Sequence, residues 1–83
     1  MKFNFHYVYM LQSLSLPEHF YIGITEDLFE RLKAHNSGKV PHTSKFLPWQ
    51  IETAVASGDK AKAIAFENYL KNHSGRAFAK KHF

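Results

Sequence analysis

The 83 residues predict one α+β domain (α/β in looser usage), a three-stranded antiparallel sheet flanked by helices in the order β-β-α-β-α-α. Three observations carry that reading. Two runs of aromatic and β-branched residues, one loop apart, read as the strands of a hairpin. Asp27-Leu28-Phe29-Glu30 has capping-box spacing and opens an amphipathic stretch directly after the second run. A third alternating run is followed by a turn and another helix-period stretch, and helices must cover the apolar face of a sheet this small.

Phe3 to Leu11, FNFHYVYML, is the first strand, with Phe3, Phe5, Tyr7, Tyr9 and Leu11 on one side and Asn4, His6, Val8 and Met10 on the other. Gln12 to Glu18 is a polar connection containing Pro17, and HFYIGI is the second strand. A loop of that length implies antiparallel pairing, which lets Tyr9 and Tyr21 approach at one end of the sheet. The first helix starts near Asp27, with Leu28 and Leu32 as its apolar stripe. Arg31 and His35, four apart, lie one above the other on one helical face. Gly38 stops this helix in the position of a left-handed cap.

Lys39 to Pro48 is a basic loop with two prolines, longer than most connections, and long loops are disproportionately functional. Trp49 to Ala56 is the third strand. Ser57-Gly58-Asp59 turns the chain and caps a second helix, Lys60 to about His73, whose buried side carries Ala63, Ile64, Phe66 and Leu70. Ser74-Gly75 breaks it, and Arg76 to Phe83 adds helical turns with Phe78 as a packing anchor. With no internal repeat, low-complexity stretch or linker, residues 1–83 form a single domain.

Composition narrows the function. Such a chain buries only about 60% of its unfolded surface, and eight Phe, four Tyr and one Trp enlarge a small core. The absence of cysteine excludes disulfides and thiolate zinc sites and is compatible with a reduced, cytoplasmic location. No apolar run approaches the roughly 18 residues that span a bilayer, so no membrane partner is expected. Asn4 and His6 interrupt the N-terminal apolar run, which argues against a signal peptide. Net charge is +4 and uneven: residues 1–59 hold five Lys/Arg against six Asp/Glu, whereas residues 60–83 hold six against Glu67 alone. A basic end suits an anionic partner such as a nucleic acid; as a solvated helix face it would only aid solubility.

The candidate polar set is Tyr9, Tyr21, Arg31, His35 and Glu67. Two phenols, a fixed cation and an imidazole suit a phosphodiester. Glu67 sits mid-helix between Phe66 and Leu70, where a carboxylate must be paired, protonated or bound to a metal. A hard divalent ion such as Mg²⁺ (or Mn²⁺) accepts one carboxylate with waters and phosphate oxygens. Simpler readings stand beside these. The tyrosines could be core aromatics with hydroxyls at the rim, Arg31 a solvated helix arginine, and His35 a residue favoured by the helix dipole. Glu67 could be an ordinary i,i+4 partner of Lys71. Lys39, His42, Thr43, Lys45 and Lys71 are the candidate contacts to nucleic-acid phosphates, and the remaining histidines show no zinc-site spacing.

In these residues the chain resembles the GIY-YIG nuclease domain. The first motif stands as Tyr7-Val8-Tyr9, with tyrosine in place of glycine, and the second is intact as Tyr21-Ile22-Gly23. Arg31 lies ten residues after Tyr21, His35 four later, and Glu67 falls in the helix after the third strand, as the family pattern requires. The length and the ending LKNHSGRAFAKKHF are similar to small stand-alone bacterial members related to the catalytic domain of the excision-repair incision subunit. No residue matches the asparagine that some members carry near the C-terminus. The resemblance implies metal-dependent hydrolysis of DNA phosphodiesters, RNA remaining open as substrate, in repair or recombination. Glu67 would be the Mg²⁺ ligand, Arg31 the charge neutraliser, Tyr9 or His35 the base, and Tyr21 a hydrogen-bonding partner of water or phosphate. All five are expected on one concave surface, with the Tyr9 pKa depressed by Arg31 or the metal. The alternative function is a nucleic-acid-binding adaptor without catalysis. The sequence leaves the oligomeric state open.

Overall fold

A computed structural model describes residues 4–72 and residue 81. Its elements run β1 (His6–Ser13), β2 (Phe20–Thr25), α1 (Leu28–Asn36), a single 3₁₀ turn (Ser44–Phe46), β3 (Trp49–Ser57) and α2 (Lys60–Lys71). The three strands form one antiparallel sheet in the order β2-β1-β3. The expected α+β class and the order β-β-α-β-α are therefore present. The final helical segment around Phe78, and Phe3 of the first strand, lie outside the described residues.

The strand β1 is central and extends two residues beyond the expected Leu11. Gln12 pairs with Phe20 on one side and Gln50 on the other, and Ser13 pairs with Trp49. Ladder hydrogen bonds on both edges hold these polar residues in the sheet, an effect their side chains do not announce. A bulge against β3 between Met10 and Leu11 re-aims the strand. Alternation then sorts the core into two layers. Val8 and Met10 meet Ala63 and Leu70 of α2, with Ile22, Ile24 and Phe66 around them. On the opposite face Tyr9, Leu11 and Trp49 meet Leu28 and Leu32 of α1, together with Tyr21, Phe46, Leu47 and Ile51. The two helices thus cover opposite faces of the sheet. Ile64, expected on the buried side of α2, is 40% exposed, because the contacting stripe runs through residues 63, 66, 67 and 70 and residue 64 lies off it.

Both helices begin where the capping residues direct. Asp27 Oδ1 accepts from the Glu30 backbone N–H at 3.1 Å, and Asp59 Oδ1 does the same for Lys62. The reciprocal half of the Asp27 box is filled by Thr25, whose hydroxyl accepts from the Asp27 N–H. At the other end of α1, Gly38 adopts φ +79°. Its N–H reaches the His35 carbonyl and that of Lys39 the Ala34 carbonyl, a Schellman arrangement. Asn36 then ties α1 to β3 through two bonds to the Trp49 backbone, Nδ2 to the carbonyl at 3.0 Å and the N–H to Oδ1 at 2.6 Å. The Leu47–Pro48 peptide preceding β3 is cis.

Candidate active site

The site is built where β1, β2 and α1 converge. Tyr9 opposes Gly23 and Leu11 opposes Tyr21, so the two tyrosines are diagonal neighbours on one face, their rings 6.3 Å apart. A β-carbon added at Gly23 would lie 2.6 Å from Cζ of Tyr9 and closer still to its hydroxyl. The phenol therefore lies across β2 at the one position where that strand has no side chain. The third residue of Tyr21-Ile22-Gly23 is glycine here for clearance and not for a turn.

From α1, Arg31 and His35 point at the same hydroxyl. Arg31 Nε donates to the Tyr9 oxygen at 3.3 Å, and His35 Nε2 lies 3.0 Å from it. Their i,i+4 spacing makes this possible, as the sequence predicts. The Tyr21 ring packs 4.9 Å from the imidazole, centroid to centroid. His35 is fully buried, and its other nitrogen, Nδ1, meets Thr43 Oγ1 at 2.8 Å. Thr43 is itself 1% exposed. Its hydroxyl donates to the Val40 carbonyl at 3.3 Å, and its own carbonyl accepts from Trp49 Nε1 at 2.9 Å.

These surroundings set the charge states. Desolvation raises the Tyr9 pKa above 10 and outweighs the lowering by the Arg31 hydrogen bond; Tyr21 and Glu67 push it further up through their charge. Arg31 by itself does not depress the phenol as expected: burial wins, and Tyr9 is a neutral phenol at pH 7. Desolvation first and Arg31 second lower the His35 pKa, so the imidazole is neutral as well. The hydrogen bond to Tyr9 raises the Arg31 pKa and keeps the guanidinium charged. A neutral phenol thus sits between a fixed cation and a neutral imidazole, a grouping that polarises the O–H bond.

Of the expected set, Tyr9, Tyr21, Arg31 and His35 come together. Glu67 stands on α2, its side chain 14% exposed, and pairs with Lys71 at 3.3 Å. Its charge reaches the Tyr9 phenol. Among the described residues no group of three or more His, Cys, Asp and Glu could hold a metal. The donor chemistry at Glu67, one half-buried carboxylate, fits a hard divalent ion that keeps most of its shell as water and substrate oxygen. Lys71, a candidate phosphate contact, pairs with one of the two Glu67 oxygens. Thr43 is corrected as a phosphate contact, since it is buried and its hydroxyl serves His35. Lys39, His42 and Lys45 are exposed on the same loop. Sequence reasoning missed the role of Gly23 and the link from Thr43 to His35. Neither spacing nor residue type signals a threonine eight positions after the histidine, beyond the helix end.

An open apolar hollow of about 300 Å³, lined by Val8, Val55, Ala56, Ser57, Lys62, Ala63 and Phe66, lies on the α2 layer, away from the tyrosines. Among the described residues no helix is long and apolar enough to cross a membrane.

Comparison with known proteins agrees with this geometry. The GIY-YIG catalytic domain matches residues 5–81. A UPF0213 protein of Bacillus licheniformis is 35% identical over 75 residues, 89% of this chain and 75% of its own length. A UPF0213 protein of Lactococcus lactis subsp. cremoris is 36% identical over 70 residues, 83% and 69% respectively. The structure-specific endonuclease subunit SLX1 of Debaryomyces hansenii is 36% identical over 76 residues, but those span 83% of this chain and only 22% of that protein. A match to nearly the full chain, over residues that include every member of the tyrosine, arginine and histidine cluster, shows that the chain belongs to the GIY-YIG catalytic domain family.

Proposed function

We propose that this protein is an endonuclease that hydrolyses phosphodiester bonds in DNA with the help of a divalent metal ion. The observation that carries the reading is the Tyr9 hydroxyl, held between Arg31 Nε at 3.3 Å and His35 Nε2 at 3.0 Å. Family membership and the likeness to an endonuclease subunit support it. As an attacking water is activated, its proton passes to the Tyr9 oxygen while the proton of Tyr9 passes to His35 Nε2. The resulting hydroxide bonds to phosphorus, the ester P–O bond breaks, and the leaving oxygen takes a proton from solvent. Arg31 stabilises the charge that grows on the phosphoryl oxygens, and Tyr21 hydrogen-bonds the water or the phosphate. Glu67 would hold Mg²⁺ or Mn²⁺, which would supply Lewis-acid stabilisation of the same charge. Lys39, His42, Lys45 and Lys71 are the proposed contacts to the DNA backbone, and a role in repair or recombination belongs to this reading.

Labelled single-stranded, duplex and branched DNAs, incubated with Mg²⁺ or Mn²⁺, test it. The wild type should cut at least one of them, and Glu67→Gln should cut at least about 100-fold more slowly while binding DNA as well in the absence of metal. An adaptor would show no metal-dependent cleavage by the wild type. A folded Glu67→Gln variant that cuts at the wild-type rate removes Glu67 from the mechanism.

A further inference from the structure

We propose that Thr43 is a positioning residue that fixes His35 as the Nδ1–H tautomer, leaving the Nε2 lone pair directed at the Tyr9 proton. The inference rests on the reading above for its catalytic meaning, but the tautomer itself is a property of the fold. His35 is fully buried, and the polar contacts of its ring are the Tyr9 hydroxyl at Nε2 and the Thr43 hydroxyl at Nδ1. A neutral imidazole carries one proton, so only two arrangements exist.

With the proton on Nδ1, every contact pairs a donor with an acceptor. Arg31 Nε–H donates to the Tyr9 oxygen, Tyr9 O–H to His35 Nε2, His35 Nδ1–H to Thr43 Oγ1, and Thr43 O–H to the Val40 carbonyl. With the proton on Nε2, the single Thr43 proton must turn to Nδ1. Thr43 then gives up its bond to the Val40 carbonyl, which keeps the Thr43 and Ser44 N–H groups as donors. The Tyr9 oxygen, at a residue 2% exposed, would receive two donors, and its own proton would lose the imidazole as acceptor. A buried hydroxyl proton without its acceptor is costly, so the first arrangement prevails.

The threonine can direct the choice because its own place is held. Its N–H bonds the Val40 carbonyl at 3.2 Å, and its carbonyl accepts from the buried Trp49 indole. In the second arrangement His35 would donate to Tyr9 and could not receive its proton. The hydroxyl of Thr43 therefore supplies the Nδ1–H acceptor that lets the imidazole face the phenol as acceptor.

The test is the ring ¹⁵N spectrum of His35 in the whole metal-free protein, recorded through long-range ¹H–¹⁵N correlations. The wild type should show a protonated Nδ1 and an unprotonated Nε2. Thr43→Val, of nearly the same shape but without the hydroxyl, should lose that pattern, and Thr43→Ser should restore it. A wild-type proton on Nε2 overturns the proposal without reference to any variant, so it stays falsifiable even where Thr43→Val does not fold. A folded Thr43→Val that keeps Nδ1–H overturns it as well. With Mg²⁺ and a cleavable DNA, Thr43→Val should lower kcat about tenfold or more with KM unchanged, and Thr43→Ser should recover it. A wild type that cuts no DNA overturns the nuclease reading while the spectrum still decides the role of Thr43. A tautomer other than Nδ1–H in an active wild type overturns the role of Thr43 and leaves the nuclease reading standing.

Discussion

At Gly23 a single hydrogen atom in place of a methyl group decides where the Tyr9 phenol lies. Gly23→Ala forces the ring off its rotamer or pushes β2 away, a cost of about 1–3 kcal/mol. Because the displaced atom is the hydroxyl between Arg31 and His35, activity should suffer more than stability. Chemical denaturation and DNA cleavage on the same preparation separate the two effects. His35 makes a second residue-scale prediction. Its folded pKa lies below its unfolded value of about 6.5, so between these two values the unfolded chain binds a proton that the native protein does not. Stability should fall as pH drops below about 6.5 through that window, and the burial of neutral His35 should make no pH-dependent contribution above it. Denaturation midpoints of wild type and His35→Asn across that range should show a shallower dependence in the variant. The position of Arg31 and His35 on one face is legible from their spacing. The neutral state of Tyr9 is not, because burial depends on α1 lying over the phenol, which no local pattern reports.

At the scale of elements, the joint between α1 and β3 carries the site. Asn36 offers the Trp49 backbone one acceptor and one donor, as a neighbouring strand would, and thereby fixes the end of the helix that presents His35. Asn36→Ala leaves Trp49 backbone groups without these partners and should destabilise the protein by about 1–3 kcal/mol, measured by urea unfolding. The caps at Asp27 and Asp59 and the stop at Gly38 are legible in the sequence because each acts within a few residues. The extension of β1 to Ser13 and the turn at Ser44–Phe46 are not. Ser13 Oγ donates to the Phe46 carbonyl, 33 positions away, and such a bond has no local signature.

Across the whole molecule, the proposed chemistry draws on both helices. Arg31 and His35 of α1 meet the tyrosines, and Glu67 stands on α2 with its charge reaching the Tyr9 phenol. The order of elements, with one helix after each of β2 and β3, is legible from period and caps; the face each helix covers follows from tertiary packing that the pattern leaves open. Phosphate contacts by the exposed lysines should make DNA affinity fall steeply with salt, since neutralised phosphates release counterions. Titrations from low to physiological salt read this as a slope, and a flat line would assign the basic residues to solubility. Arg31→Ala should weaken both binding and cleavage, because its charge faces phosphate before and during reaction, with cleavage lower by about 100-fold or more.

In the loop between α1 and β3, Thr43 is buried while Lys39, His42 and Lys45 around it face solvent. Grip and chemistry are therefore separable in the same ten residues. On the proposed reading, exchanging the exposed positions for other side chains should change which nucleic acid is held and how tightly, while the buried threonine keeps the imidazole in register. A library varied at those three positions, with Thr43 kept, is thus a route to altered substrate preference on an unaltered reaction centre.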